Sequence, residues 1–176
     1  MNELNIIKKG VKMNIINNEI LDIEILKVLL PSPTTSVYKI IDQLKEKKVN
    51  VKRINYPTTR RRITQLEKNG YIKIEKGQNL RKDGQVDKRG GINILLTFKG
   101  LFKLIIDADL TDSEVRLTID KSRANIFKTK TRITEITVVK EMPVKALRQS
   151  FEQMRSRINL NHFDENYAIE LFLKMQ

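Results

Sequence analysis

The segment Tyr56–Ile72, YPTTRRRITQLEKNGYI, constrains the fold of this chain more than any other. Pro57 has the dihedral of a first helical turn already set and lacks only a donor that the turn does not use. Gly70 supplies the left-handed residue at which a helix stops. Ile72 and Ile74 then alternate with Lys73 and Glu75, as in a half-buried strand. A short helix over about 57–69 must therefore run almost directly into a strand.

The flanking residues place that unit third in a series of helices. Glu19–Leu30 is densely apolar, with Ile20, Ile23, Leu26, Leu29 and Leu30 expected on its core face. Pro31-Ser32-Pro33 ends it, because proline removes a backbone donor and restricts the residue before it. Thr34, Thr35 or Ser36 can cap the next helix, whose Val37, Ile40, Ile41 and Leu44 share one side. A linker from Val49 to Asn55 leads to the third helix. After the first strand, Gly77–Gly91 is polar, basic and rich in glycine, as suits the exposed tip of a long hairpin. Ile92, Ile94 and Leu96 mark the returning strand, and Thr97 can cap a fourth helix through about Ile106. The order helix, helix, helix, strand, long basic loop, strand, helix predicts a mainly α protein with a small β-hairpin, a winged helix-turn-helix followed by a C-terminal helical segment. The expected divisions are 1–18 as an N-terminal arm or short helix, 19–106 as the winged-helix domain and 107–176 as a mostly helical segment.

Charge is concentrated on the same part of the chain. The formal net charge is +13 over 176 residues. Between positions 45 and 89, fifteen Lys and Arg stand against five Asp and Glu, a net +10. Residues 1–44 balance to zero, and 90–176 carry +3. A basic segment with this architecture points to nucleic acid as the partner.

Val37-Tyr38-Lys39-Ile40-Ile41-Asp42-Gln43-Leu44, Tyr56-Pro57-Thr58-Thr59 and Leu66-Glu67-Lys68-Asn69-Gly70-Tyr71-Ile72 resemble winged-helix transcriptional regulators of the PadR kind, and more loosely of the MarR kind. Leu96-Thr97-Phe98-Lys99-Gly100 is similar to the junction that follows the wing in such proteins. The resemblance covers about residues 19–106, with a wing and a pre-helix linker longer than the usual pattern. It implies a DNA-binding regulator that dimerises through terminal helices, so double-stranded DNA and a second copy of the chain are the expected partners, with no effector identified. The alternatives are a replication or plasmid-maintenance DNA-binding protein and a winged-helix protein-interaction module of the transcription machinery.

Helical phase, at about 100° per residue, assigns the faces of the third helix. Thr59, Ile63 and Leu66 fall together as the buried side. Thr58, Arg61, Thr64, Gln65 and Lys68 lie opposite, with Arg60 and Arg62 on the two flanks. Arg61 is the first candidate for a base contact, since a guanidinium matches the O6 and N7 of guanine in two parallel bonds. Gln65 could address adenine, and Thr58 or Thr64 a thymine methyl or a phosphate. Arg60 and Arg62 are expected on phosphates, and the alternative is that all three arginines grip only backbone. The wing, about 71–96, adds Lys73 and Lys76 at its base and Arg81, Lys82, Lys88 and Arg89 near its tip, for a neighbouring groove and its phosphates.

The C-terminal third divides less cleanly. Thr111-Asp112-Ser113-Glu114 fits a capping box and favours a helix. Val115, Leu117 and Ile119 nevertheless alternate as in a strand, and Ile136 with Val138 offers a second one. After Pro143, Leu147, Phe151, Met154 and Ile158 form an apolar stripe for packing within the chain or against a second subunit. A last helix is expected over about Asp164–Met175, with Tyr167, Ala168, Leu171, Phe172 and Met175 on its apolar side.

Signals for catalysis are poor, and the chain reads as a non-enzyme without a cofactor. There is no cysteine, so disulfides and thiolate zinc sites are excluded. His162 is the only histidine, which leaves no second imidazole for a metal site and no partner for a nucleophile. Asp107, Asp109, Asp112 and Glu114 lack the glycine and distal glutamate of a calcium loop and read as cap and turn chemistry. No apolar run reaches signal-peptide or membrane-span length, so a cytoplasmic protein with no membrane contact is expected.

Overall fold

Among the described residues the first helix lies in the apolar segment that follows Asn17. A computed structural model of the chain describes residues 18–34, 36–47, 49, 54–77, 91–129 and 143–174. The architecture is mainly helical, with seven α-helices among the described residues and one small antiparallel two-stranded sheet. Helix α1 covers residues 18–29 and stops at the Pro31-Ser32-Pro33 turn. Helices α2 (Val37–Glu46) and α3 (Tyr56–Lys68) follow, then strands β1 (Ile72–Gly77) and β2 (Gly91–Leu96). Helices α4 (Phe98–Asp107), α5 (Asp112–Thr129), α6 (Val144–Arg157) and α7 (Glu165–Lys174) complete the chain, with a 3-10 turn at Leu160–His162. The expected arm, 1–18, lies outside the described residues apart from Asn18, which belongs to α1. Among the described residues no helix is long and apolar enough to cross a membrane.

Two compact units divide between Leu95 and Leu96. In the first, Ser36 caps α2 by accepting from the Lys39 amide at 3.2 Å, and Val37, Ile40, Ile41 and Leu44 are buried as their spacing predicts. Of the core face expected for α1, Leu26, Leu29 and Leu30 are buried and Ile23 is half-buried, but Ile20 is 42% exposed, and the buried side extends over Leu21, Asp22, Ile25 and Val28. Apolar side chains surround this helix almost completely, so periodicity leaves the choice of stripe open. The stripe that wins carries Asp22, which meets a guanidinium from α3.

The β1–β2 sheet is tied to the start of α2. Thr34 and Ile94 exchange two backbone hydrogen bonds, at 3.2 and 2.8 Å, across an antiparallel bridge. This contact joins residues 60 positions apart, and Thr34 spends its backbone on it rather than on a cap. In β1 the expected alternation holds, with Ile72 buried and Lys73 and Glu75 exposed. In β2 only Ile94 is fully buried, and Ile92 stays exposed.

The second unit starts with α4, which the sequence grouped with the winged-helix segment 19–106. Thr97 caps it as expected, accepting from the Gly100 amide at 3.0 Å. Its partners are α5, α6 and the 3-10 turn. Phe98, Phe102 and Phe163 form an aromatic cluster there, with ring centroids 4.9 to 6.4 Å apart. The capping box at Thr111 forms, since Glu114 accepts from the Thr111 amide at 2.9 Å, and α5 is helical through the residues that could have alternated as a strand. Thr118 and Ser122 are buried on it and donate back to the carbonyls of Glu114 and Thr118. The possible strand at Ile136 and Val138 lies outside the described residues. The stripe Leu147, Phe151 and Met154 is buried within this unit, while Ile158 has left the helix as its C-cap. Helix α7 buries Ala168, Ile169, Leu171 and Phe172; Tyr167 is exposed, and Met175 lies outside the described residues.

Candidate nucleic-acid interface

Local chemistry sets both ends of α3. Asn55 caps it, its side-chain oxygen accepting from the Thr58 amide at 3.0 Å, with Pro57 in the first turn. At the other end Gly70 takes φ 76°. Its amide donates to the Glu67 carbonyl at 2.8 Å, and the Tyr71 amide donates to the Leu66 carbonyl at 2.9 Å. This is a Schellman stop, in which a left-handed residue lets the chain fold back over the last turn and satisfy its carbonyls. A side chain with a Cβ in that conformation would cost about 1–2 kcal/mol. Tyr71 and Leu66, which flank the stop, are both buried, so α3 delivers the chain into β1 in a defined direction.

Thr59, Ile63 and Leu66 form the buried side of α3, as the helical phase predicts. Arg60, Arg61, Thr64, Gln65 and Lys68 are exposed, and Thr58 is half-buried. Thr64 donates to the Arg60 carbonyl at 3.1 Å, and Gln65 donates to the Asn69 side chain at 3.1 Å. Both side chains are thus tied to their own helix end, and Gln65 keeps a second N–H and its carbonyl oxygen beyond that bond.

Arg62 departs from its expected phosphate role. Its Nε donates to Asp22 Oδ1 at 2.8 Å and its Nη2 to Asp22 Oδ2 at 2.5 Å, a two-pronged pair with α1. The side chains are 17% and 10% exposed. The hydrogen bond to Asp22 raises the Arg62 pKa above the ordinary guanidinium value, burial opposes this, and the charges of Asp22 and Glu19 add to it. Arg62 sits on the flank that faces α1, and a partly buried carboxylate there outcompetes solvent for it. The triple arginine therefore separates into one cation that orients the helix and two that face outward.

On the hairpin, Lys73 pairs with Glu75 at 2.8 Å on the exposed side of β1, and Lys76 is exposed beside it. Arg81, Lys82, Lys88 and Arg89 lie outside the described residues. Three acids at the start of the second unit have protein partners. Asp107 binds Lys103 at 2.6 Å, Asp112 binds Arg148 at 2.8 Å, and Glu114 closes the capping box. Among the described residues no group of three or more His, Cys, Asp or Glu is placed to hold a metal ion. His162 is exposed on the 3-10 turn.

Two features of this surface escaped the sequence reading. Asp22 is the partner of Arg62, and nothing in the sequence singled it out from Glu19 and Glu24 on the same helix. Tyr38 on α2 and Tyr56 at the head of α3 stack with ring centroids 4.9 Å apart and planes 28° from parallel. No periodicity marks that pair, because it joins two helices. Compared with known protein families, with curated proteins and with solved structures, the chain matches none.

Proposed function

We propose that this protein is a winged-helix transcriptional regulator of double-stranded DNA. Helix α3 enters the major groove, and the β1–β2 hairpin covers the flanking phosphates. The observation that carries this reading is the division of labour on α3. One side is anchored by Thr59, Ile63, Leu66 and the Arg62–Asp22 pair, while Arg60, Arg61 and Lys68 face outward. Among the described residues the guanidinium groups of Arg60 and Arg61 have neither a hydrogen-bond nor an ion-pair partner, although the Arg60 carbonyl accepts from Thr64. A helix fixed on one side, with free guanidinium groups near its N-terminal end on the other, has what base-edge reading requires. Arg61, nearly opposite the buried face, takes the base contact, and Arg60 takes a phosphate.

The resemblance to PadR-like regulators supports the same reading and adds a homodimer on paired half-sites. Sedimentation would then return twice the 20.6 kDa of the single chain. Titration against duplex DNA over a range of salt concentrations tests the reading. Affinity should fall steeply with salt, by about 0.9 log units per log unit of salt for each phosphate neutralised. Absent or salt-insensitive binding overturns it and favours a protein-interaction module.

A further inference from the structure

Tyr38 is the most exposed of the large apolar side chains in the described residues, at 64% of its surface, yet it is not loose. Its ring stacks on Tyr56, which is half-buried at the first position of α3 and therefore backs it. A tyrosine left in water usually keeps its rotamer freedom. This one is held with its ring supported from behind and most of its surface open.

The charges around the pair are positive on the sides that matter. Arg60 lies one turn along α3 from Tyr56, about 40° away around the helix, on the same flank. Lys39 follows Tyr38 on α2, and both cations are exposed. Asp42, one turn along α2, is exposed as well, and Lys45 on the same side of the last turn is an exposed cation. The position of the stack itself sets where an anionic partner would meet the ring, at the end of α2 nearest the head of α3. In a helix-turn-helix the helix before the reading helix crosses the DNA backbone. Tyrosine suits that place, because its ring packs on deoxyribose while its hydroxyl donates to a phosphate oxygen.

We infer that the Tyr38–Tyr56 stack is a backbone clamp for duplex DNA: Tyr38 lies on the sugar and donates its hydroxyl to one phosphate, and Tyr56 holds the ring in place. This rests on the DNA-binding reading of α3 and adds a contact that carries no charge. Tyr38 makes the contact, and Tyr56 is a positioning residue behind it.

The uncharged contact leaves a distinctive signature. Tyr38→Phe keeps the ring and removes only the hydroxyl, so it should bind a mixed-sequence duplex about tenfold more weakly. The salt slope should not change, because no cation has been removed. Tyr38→Ala should lose more, and Tyr56→Ala should add little once Tyr38 is already alanine, because the two act as one unit. Neutral methylphosphonate placed one position at a time along the duplex should reveal a phosphate whose neutralisation weakens the parent but not Tyr38→Phe. Since Tyr38 is exposed, the unfolding curve of Tyr38→Phe should match that of the parent.

If the parent binds with a steep salt slope and Tyr38→Phe binds equally well, the clamp is wrong while the reading of α3 stands. A loss accompanied by a shallower slope also overturns the clamp, because charged contacts have then been displaced. If the parent binds no duplex at any salt concentration, both readings fail together.

Discussion

The two compact units put arginine to opposite uses. In the first, Arg60 and Arg61 project from α3 with no protein partner among the described residues. In the second, two arginines of α6 turn back on their own unit. Arg155 donates to the carbonyls of Ile105 and Ala108 at 2.8 and 3.0 Å, and to Glu152 at 2.6 Å. Arg148, about two turns earlier on the helix, reaches the Leu110 carbonyl at 2.7 Å and Asp112 at 2.8 Å. These carbonyls lie at and beyond the end of α4, where the helix has no further amides to fill them. The same residue type is a staple at Arg148 and Arg155 and, at Arg60 and Arg61, a donor set with no acceptor among the described residues. Charge content alone is therefore a poor guide to a binding surface; what distinguishes the two is whether the guanidinium already has acceptors.

Arg62 is the exception that crosses the division, and it offers the sharpest test. Asp22→Ala leaves its guanidinium partly buried without a counter-charge, which should destabilise the first unit by about 2–3 kcal/mol. Urea unfolding measures this, and a change below about 0.5 kcal/mol would return Arg62 to the surface set. The pair has a simple pH dependence on its basic side. The folded-state pKa of Arg62 is raised, so its contribution is complete below the unfolded value and disappears only as pH rises through the folded one. The alkaline stability limit set by this pair therefore lies far above neutrality, and an unfolding transition that already weakened between pH 7 and 9 would need another group.

Arg61→Ala tests the other class. It should reduce affinity by about 1–3 kcal/mol at the base pair it reads and flatten the preference there. Its effect on stability should stay within about 0.5 kcal/mol, since the exposed side chain has no partner to lose among the described residues. Selection from random duplexes with the variant checks the first part and denaturation the second; retention of full sequence preference would move the base contact to another residue.

Arg155→Ala should do the reverse, costing about 1–2 kcal/mol of stability because two carbonyls lose charge-assisted donors. Its effect on duplex affinity should be negligible, and a loss of DNA binding larger than the loss of stability would break the comparison. The smallest effect is expected at Thr59, which is fully buried with a hydroxyl that has no hydrogen-bond partner in the structure. Thr59→Val removes that unpaired group at nearly constant shape and should stabilise the first unit by about 1 kcal/mol or less. Thermal unfolding would show this as a small rise in Tm.

Much of this surface was legible in the chain because its determinants are local. Pro57 and Gly70 mark the ends of α3, and the spacing of Thr59, Ile63 and Leu66 sets its phase, so the outward position of Arg61 follows from helical geometry alone, whereas the Asn55 cap emerged only in the structure. Capping at Ser36, Thr97 and Thr111 was readable for the same reason. The face of α1 was readable only in part, with Leu26, Leu29 and Leu30 buried as expected and Ile20 exposed, because apolar residues on several sides leave no single stripe for periodicity to find. The Thr34–Ile94 bridge and the placing of α4 with α5 and α6 were hidden as well, since both depend on residues far apart in sequence.

By itself, then, the sequence determined that a short capped helix with three arginines would run into a strand, and that the surrounding segment would be strongly basic. Tertiary structure alone decided what those arginines are free to do. Arg62 was removed from the donor set by Asp22 across 40 residues, and Tyr38 was brought against Tyr56 at the head of the helix. The physical reason is common to both. A side chain's phase on its helix is a local quantity, but its partner is supplied by whichever neighbouring helix the core packs against that flank.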